Sequence, residues 1–204
     1  MIGFAKKIGM TRLFMNGKSM PVTVIRFGDS QLVQTKIADK DGYDAVQMGA
    51  FPRKNSSKIS KAIQGHTKKH TEKDVTFRIL EEFRDIDLGG KKTFGIDDFS
   101  EGDEINVTGI IKGRGFTGVV KRYGFRGQPK SHGHDHERAV GSIGAAWPQR
   151  VNKGIKMAGR SGNNTKTLRS VNIVSIDVDK KLIFVKGSLP GSNGTYLKVK
   201  KIIK

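Results

Sequence analysis

The sequence contains no cysteine among its 204 residues. This absence excludes disulfide bridges and thiolate zinc sites, and it suits a reducing compartment. The sequence also lacks any run of 18 or more apolar residues, so it predicts no membrane-spanning helix. The first seven residues, Met1 to Lys7, lack the apolar core of a signal peptide. We therefore expect a cytoplasmic protein without a membrane partner.

Acidic residues are scarce: 19 stand against 38 lysines and arginines, which leaves a formal net charge of +19. The excess is uneven, because residues 112–169 hold thirteen Lys or Arg, only two acids (Asp135 and Glu137) and eleven glycines. This segment has too few apolar residues to offset the conformational entropy lost when it becomes ordered. A glycine-rich cationic segment without its own core indicates a polyanionic partner, and folded RNA fits best.

The flanking segments, 1–111 and 170–204, carry the patterns of a small β protein, and we expect them to form one globular body. A turn at Gly28-Asp29-Ser30 predicts a hairpin between the first two strands. Lys-rich residues at about 53–74 predict a helical insert with a helix near 57–70, and 75–86 fits either helix or strand. Short strands between turns are typical of a small β-barrel or a sandwich. Strands are predicted at 20–27, 31–37, 43–49, 103–112, 170–178, 181–186 and 195–203.

A glycine motif opens the cationic segment. Gly113-Arg-Gly115-Phe-Thr-Gly118 matches the dinucleotide-binding pattern G-x-G-x-x-G. That site requires a helix behind the third glycine, inside a βαβ unit. The residues after Gly118 run directly into Gly127 and Pro129, which disfavours such a unit. We interpret the glycines as positions where the backbone approaches a phosphate chain or adopts a positive φ.

Three histidines, His132, His134 and His136, alternate around Asp135, a pattern that also occurs in metallohydrolases. A zinc hydrolase needs further ligands, and the other histidines lie far away, in a Lys-rich stretch of the first half. The alternatives are contact with RNA or exposure to solvent. We predict no metal, no cofactor and no catalytic residue. Metal content after purification in a chelator discriminates between these interpretations.

Cationic and aromatic side chains are interleaved through 112–169. Cations neutralise phosphates, and aromatic rings stack on unpaired bases. Trp147, the only tryptophan, lies among small residues that cannot enclose it, so we predict that it is exposed or contacts RNA. The predicted RNA-binding residues are Arg114, Lys121, Arg122, Arg126, Lys130, His132, Arg138, Arg150, Lys153, Lys156 and Arg160.

Four long motifs follow one another in a recognisable order. They are IGFAKKIGMTRLF at 2–14, VTGIIKGRGFTGVVKRYGF at 107–125, GSIG at 141–144 with Pro148 and KGIKMAGRSGN at 153–163, and VKGSLPGSNG at 185–194. Together they resemble the large-subunit ribosomal protein L-three family over essentially the whole chain. Trp147 is also similar to the tryptophan at the finger tip of eukaryotic members, offset by one residue.

The resemblance implies a closed β-barrel of the translation-protein type and a long irregular extension, 112–169, that threads 23S-type ribosomal RNA towards the peptidyl transferase centre. It implies a structural constituent of the large ribosomal subunit that binds early in assembly and is not an enzyme. Its partners would be this RNA and neighbouring large-subunit proteins, and we expect no homo-oligomer. A zinc-dependent hydrolase and a free-standing RNA chaperone are the rival interpretations. By position, the extension tip comprises Ser142, Ala145, Ala146, Trp147, Pro148 and Gln149.

Overall fold

The computed structural model describes residues 1–15, 17–53, 59–71, 75–84 and 90–202. The protein is mainly β, which confirms the predicted class. Its helices are α1 (Ala38–Asp41), α2 (Lys61–His70) and α3 (Val119–Tyr123), with a 3₁₀ turn at Ile96–Asp98. The strands are β1 (Ile2–Met15), β2 (Lys18–Gly28), β3 (Ser30–Lys36), β4 (Ala45–Pro52), β5 (Phe77–Arg84), β6 (Thr93–Phe94), β7 (Glu104–Ile110), β8 (Gly115–Thr117), β9 (Gly159–Ser161), β10 (Thr165–Asp177), β11 (Leu182–Lys186) and β12 (Tyr196–Lys201).

The chain divides into two compact units. The first comprises Met1–Ile110 with Lys166–Lys204, and the second is Ile111–Thr165. In sequence, therefore, the second unit lies between β7 and β10 of the first. No described helix is long and apolar enough to cross a membrane.

Six strands of the first unit form a closed sheet in the order β1-β12-β7-β10-β11-β2, and β2 pairs again with β1. Alternate residues of each strand point inward because a strand turns successive side chains to opposite faces. On β7, for example, Ile105 and Val107 are fully buried. They meet Ile183 and Val199 in one apolar cluster. Burying each such side chain stabilises the fold by about 1.5–3 kcal/mol.

A second sheet, in the order β5-β4-β3-β6, covers a separate apolar cluster. Ile2 and Phe4 of β1 belong to this cluster, whereas Ala5 belongs to the first. Phe4 packs on Phe83 of β5 with ring centroids 5.5 Å apart. The first strand therefore contributes side chains to both cores and holds the two sheets together.

The predicted hairpin between the strands at 20–27 and 31–37 is wrong. Both strands exist, but β2 pairs with β1 and β11, whereas β3 pairs with β4 and β6. The chain crosses from one sheet to the other at Gly28. A Cβ atom there would lie 2.6 Å from the ring of Phe51, so only glycine allows this close approach.

The other predicted elements differ from the structure mainly in their boundaries. The ambiguous segment 75–86 contains strand β5, whose β-sheet partner is β4. The helix predicted near 57–70 begins only at Lys61, and the short helix α1 lies between β3 and β4. Parts of the predicted insert, 54–58 and 72–74, lie outside the described residues, as do 85–86 and 203.

Lys7 anchors the loop before β12. Its side chain is buried, and Nζ donates hydrogen bonds to the carbonyl oxygens of Leu189 (2.8 Å) and Gly191 (3.0 Å). The Gly194 N–H donates in turn to the Lys7 carbonyl oxygen at 2.7 Å. Hydrogen bonds from a charged donor are worth about 1.5–3 kcal/mol each. They fix the Gly-rich motif at 185–194 to the first strand.

Candidate nucleic-acid interface

The second unit begins and ends in paired backbone. Strands β8 and β9 are antiparallel, and the Ile111 N–H donates to the Asn164 carbonyl oxygen at 3.0 Å. Gly162 adopts φ +73°, and a Cβ atom there would lie only 2.1 Å from the Lys112 carbonyl oxygen. The run that leads into the second unit at Lys112 and the run that leads out of it at Gly162 are therefore in backbone contact, which requires glycine at position 162. We call them the outgoing and returning runs.

A short helix follows the glycine motif. Gly118 lies immediately before α3, and Gly124 ends the helix in the left-handed conformation, with its N–H bonded to the Val120 carbonyl oxygen. Val119 is only 2% exposed and gives this end of the unit a small apolar anchor. However, β8 pairs antiparallel with β9, so the motif is not part of a parallel βαβ unit.

Arg122 has a role that the sequence did not reveal. Its guanidinium donates to the Met157 carbonyl oxygen at 2.7 Å and stacks 5.0 Å from the ring of Tyr123. A Cβ atom at Gly159 would lie 2.7 Å from the Arg122 Nη1 atom, so this glycine makes room for the contact. Arg122 therefore joins the outgoing and returning runs, in addition to supplying charge.

The remaining predicted cations extend into solvent. No ion pair joins any of them to an acid within the described part of the chain, whereas the first unit contains pairs such as Lys36–Glu82 and Lys201–Asp103. Their positive potential is therefore not compensated internally. The exposed cations are Arg114, Lys121, Arg126, Lys130, Arg138, Arg150, Lys153, Lys156 and Arg160.

Aromatic rings lie beside these cations. Phe116 is 80% exposed and Trp147 is 77% exposed, which confirms the predicted exposure of the tryptophan. The ring of Tyr123 has Lys156 at 5.9 Å and the ring of Phe125 at 6.3 Å. The surface thus offers both flat apolar faces and positive charge, the combination that binds unpaired nucleotides.

The histidine pattern forms a closed loop. The Gln128 N–H donates to the Glu137 carbonyl oxygen at 3.0 Å, and Gly127 allows this approach with φ +76°. His134 Nδ1 lies 3.3 Å from the Gln128 side-chain oxygen, and His132 is exposed. Among the described residues, no three His, Asp or Glu side chains come together as metal ligands.

The predicted tip residues, at positions 142–149, are all exposed to solvent. The Ser142 hydroxyl donates to the Gly144 carbonyl oxygen at 3.2 Å, and the Arg150 N–H donates to the Pro148 carbonyl oxygen at 2.6 Å. These short-range bonds shape the turn locally. Ala145, Ala146 and Gln149 are exposed, so their side chains add little packing to the turn.

Comparison with known proteins gives a consistent result. The profile of the family described as "Ribosomal protein L3" matches residues 90–181. The large ribosomal subunit protein uL3 of Petrotoga mobilis is 42% identical, over 98% of this chain and 94% of that protein. The proteins of the same name from Thermosipho africanus and Syntrophus aciditrophicus are 44% and 43% identical, over 93% and 98% of this chain and 92% of each relative.

Proposed function

Since the chain belongs to the ribosomal protein L3 family, we propose that it is a structural constituent of the large ribosomal subunit in the cytoplasm. It is not an enzyme, because the family contributes to ribosome structure. Residues 1–111 and 170–204 are the globular body, and the closed sheet is a barrel of the translation-protein type. Residues 112–169 are the extension that binds 23S-type ribosomal RNA. Neighbouring large-subunit proteins are the other partners.

One observation carries this proposal: the extension displays exposed cations that have no acid partner among the described residues. Each phosphate that such a cation neutralises releases counterions, so binding gains entropy and depends strongly on salt. Phosphate contacts position a protein on nucleic acid without reading its sequence. The extension therefore recognises the shape of folded RNA, and the exposed rings of Phe116 and Trp147 take unpaired bases.

The extension combines a fixed base with an adaptable tip. Paired backbone, α3 and the contact from Arg122 to Met157 set the direction in which the two runs leave the base. Beyond them, positions 141–150 are exposed throughout. The tip adapts to the RNA and reaches towards the peptidyl transferase centre. Binding comes early in assembly, before the RNA has folded around the segment.

The test compares two triple variants with the wild type by measuring how their affinity for a 23S-type RNA transcript depends on salt. Replacing Lys153, Lys156 and Arg160 by Ala should reduce the slope of log affinity against log salt by about 2–3 units. The matched control replaces three exposed lysines of the body, Lys18, Lys40 and Lys186, by Ala, and it should leave most of the slope intact.

Equal slopes for the two triple variants would contradict the assignment of 112–169 as the RNA-binding segment. Sedimentation separates the ribosomal role from that of a free-standing RNA chaperone. The protein should remain with large-subunit particles at moderate salt. Quantitative release from assembled particles under these conditions would favour the chaperone.

A further inference from the structure

A basic cleft of about 1040 Å³ opens in the first unit. Lys6, Arg26, Arg53 and Arg78 line it, together with one ion pair between Lys181 and Asp29 at 2.5 Å. The four other cations have no ion pair with an acid in the part of the chain that the structure describes. The cleft therefore carries a net positive charge, although it lies outside the basic extension.

The strand register places two of these cations side by side. Lys6 on β1 lies directly opposite Arg26 on β2 and, on its other side, directly opposite Tyr196 on β12. Like charges in directly opposed positions destabilise a sheet. A bound anion removes this cost, because its charge compensates both side chains at once.

Aromatic residues form one wall of the same cleft. Phe51 and Tyr196 are half-buried, with ring centroids 5.0 Å apart, and Arg78 donates to the Tyr196 hydroxyl at 3.0 Å. Phe51 adopts φ +57°, a conformation that is unfavourable for a bulky residue. Such backbone strain clusters at functional sites. Here it holds the Phe51 ring against Tyr196 and beside the cations.

We propose that this cleft is a second RNA-binding site, which takes an unpaired nucleotide. The base lies against Phe51 and Tyr196, and the flanking phosphates contact Lys6 and Arg26. A nucleotide supplies both the flat ring and the anions, whereas an acidic peptide supplies only the anions. This inference rests on the proposed function, since it takes ribosomal RNA as the partner.

The direct test uses the unaltered full-length protein bound to a 23S-type RNA transcript that contains 4-thiouridine. Irradiation followed by peptide mapping should give crosslinks to peptides containing Phe51 or Tyr196, in addition to crosslinks in 112–169. Crosslinks in 112–169 alone would overturn the cleft assignment and leave the proposed function intact. The absence of crosslinks from both regions would contradict both.

Variants test the two parts of the site. Replacing Lys6 and Arg26 by Ala should lower the crosslink yield at the cleft by about fivefold or more and reduce the salt slope by about 1.4 units. The charge-matched control, with Lys18 and Lys40 replaced by Ala, should leave the yield at the cleft within about twofold of the wild type. An equal loss in both variants would overturn the site, because it would reflect bulk charge alone.

The variant Phe51→Leu keeps an apolar side chain but removes the stacking face. The cleft crosslink yield should fall by about 5–100-fold while the crosslinks in 112–169 persist. Circular dichroism and thermal melting check whether the variant folds. If it does not fold, the crosslink mapping on the unaltered protein still tests the cleft assignment. In assembled particles, a protein–protein crosslink to an acidic segment at Phe51 or Tyr196, without RNA, would overturn the assignment in favour of a protein partner.

Discussion

At the scale of single residues, two large aromatic side chains differ in their exposure to solvent, a difference that composition alone does not show. Trp147 is 77% exposed, whereas Phe4 is 1% exposed between the two sheets. Replacing Trp147 by Ala should therefore leave the melting temperature of the free protein almost unchanged. Replacing Phe4 by Ala should lower the free energy of unfolding by about 3–5 kcal/mol. Calorimetry of both variants checks this contrast, and a large loss with Trp147→Ala would place the indole in a core.

A second contrast concerns glycine. Gly162 has φ +73° and no room for a Cβ atom, whereas Gly144 has open space around it. Gly162→Ala should disrupt the base of the extension, and the amide protons of Ile111, Arg114 and Asn163 should then exchange faster. Gly144→Ala is the matched control and should leave these protons unchanged. Both exchange profiles follow from mass spectrometry, and similar profiles would contradict the close approach at Gly162.

At the scale of elements, a polar cluster joins β3 to β5. Lys36 Nζ lies 2.7 Å from a Glu82 carboxylate oxygen, and the Tyr43 hydroxyl donates to the other oxygen at 2.9 Å. The hydrogen bonds from Lys36 and Tyr43 lower the pKa of Glu82 below its usual 4.5. Burial by itself raises the pKa of Asp103. Hydrogen bonds from Lys201 and the Ser100 N–H lower this pKa by more, so its net shift is also downward.

These lowered pKa values predict acid sensitivity. A carboxyl group whose pKa is lowered by folding contributes stability above its unfolded pKa and loses it as the pH falls through its folded pKa. Glu82→Gln should therefore destabilise the protein equally between pH 5 and 7, and the difference from wild type should shrink below about pH 4.5. Urea unfolding across this range measures it.

The neighbouring residue Glu81 provides the control, because it is exposed and its contact with Lys198 is 3.5 Å long. Glu81→Gln should leave the acid limb of the stability curve close to that of the wild type. The same pH dependence in both variants would contradict the role of the contacts from Lys36 and Tyr43.

Most of the longer strands were predictable because they are short runs rich in β-branched and aromatic residues between turn signals. Their partners were less predictable, as the wrong β2–β3 hairpin illustrates. A turn at Gly28-Asp29 has the same residues whether the chain folds back or passes into another sheet. The deciding contact, Phe51 against Gly28, comes from more than 20 residues away in sequence. Local patterns do not carry that information.

At the scale of the whole molecule, the excess positive charge and the extensive backbone pairing lie in different parts of the chain. The first unit holds the long strand ladders, whereas most of the basic excess lies in 112–169. In the free protein, we expect slow amide exchange in 20–27, 103–111 and 170–202 and fast exchange through most of 112–169. Binding of 23S-type RNA should slow exchange in the extension. Uniformly slow exchange in the extension without RNA would contradict this expectation.

The two candidate binding surfaces differ in how far sequence reveals them. The cations of the extension are contiguous in sequence, so composition was enough to identify them. The cleft is assembled from Lys6, Arg26, Phe51, Arg78 and Tyr196, which only the strand register brings together. Each of these residues looks ordinary in its own segment. A site of this kind becomes visible only after the fold is known.

The anchoring of Lys7 by Leu189 and Gly191 has a consequence for the order of synthesis. At about 5–20 residues per second, the loop that receives the Lys7 ammonium leaves the translating ribosome roughly 10–35 s after the lysine itself. During that interval one edge of β1 has no β12 to pair with, and open strand edges invite pairing with other chains. A charged side chain on such an edge discourages this pairing. We therefore expect Lys7, which later anchors the loop before β12, also to protect the nascent strand until that loop arrives.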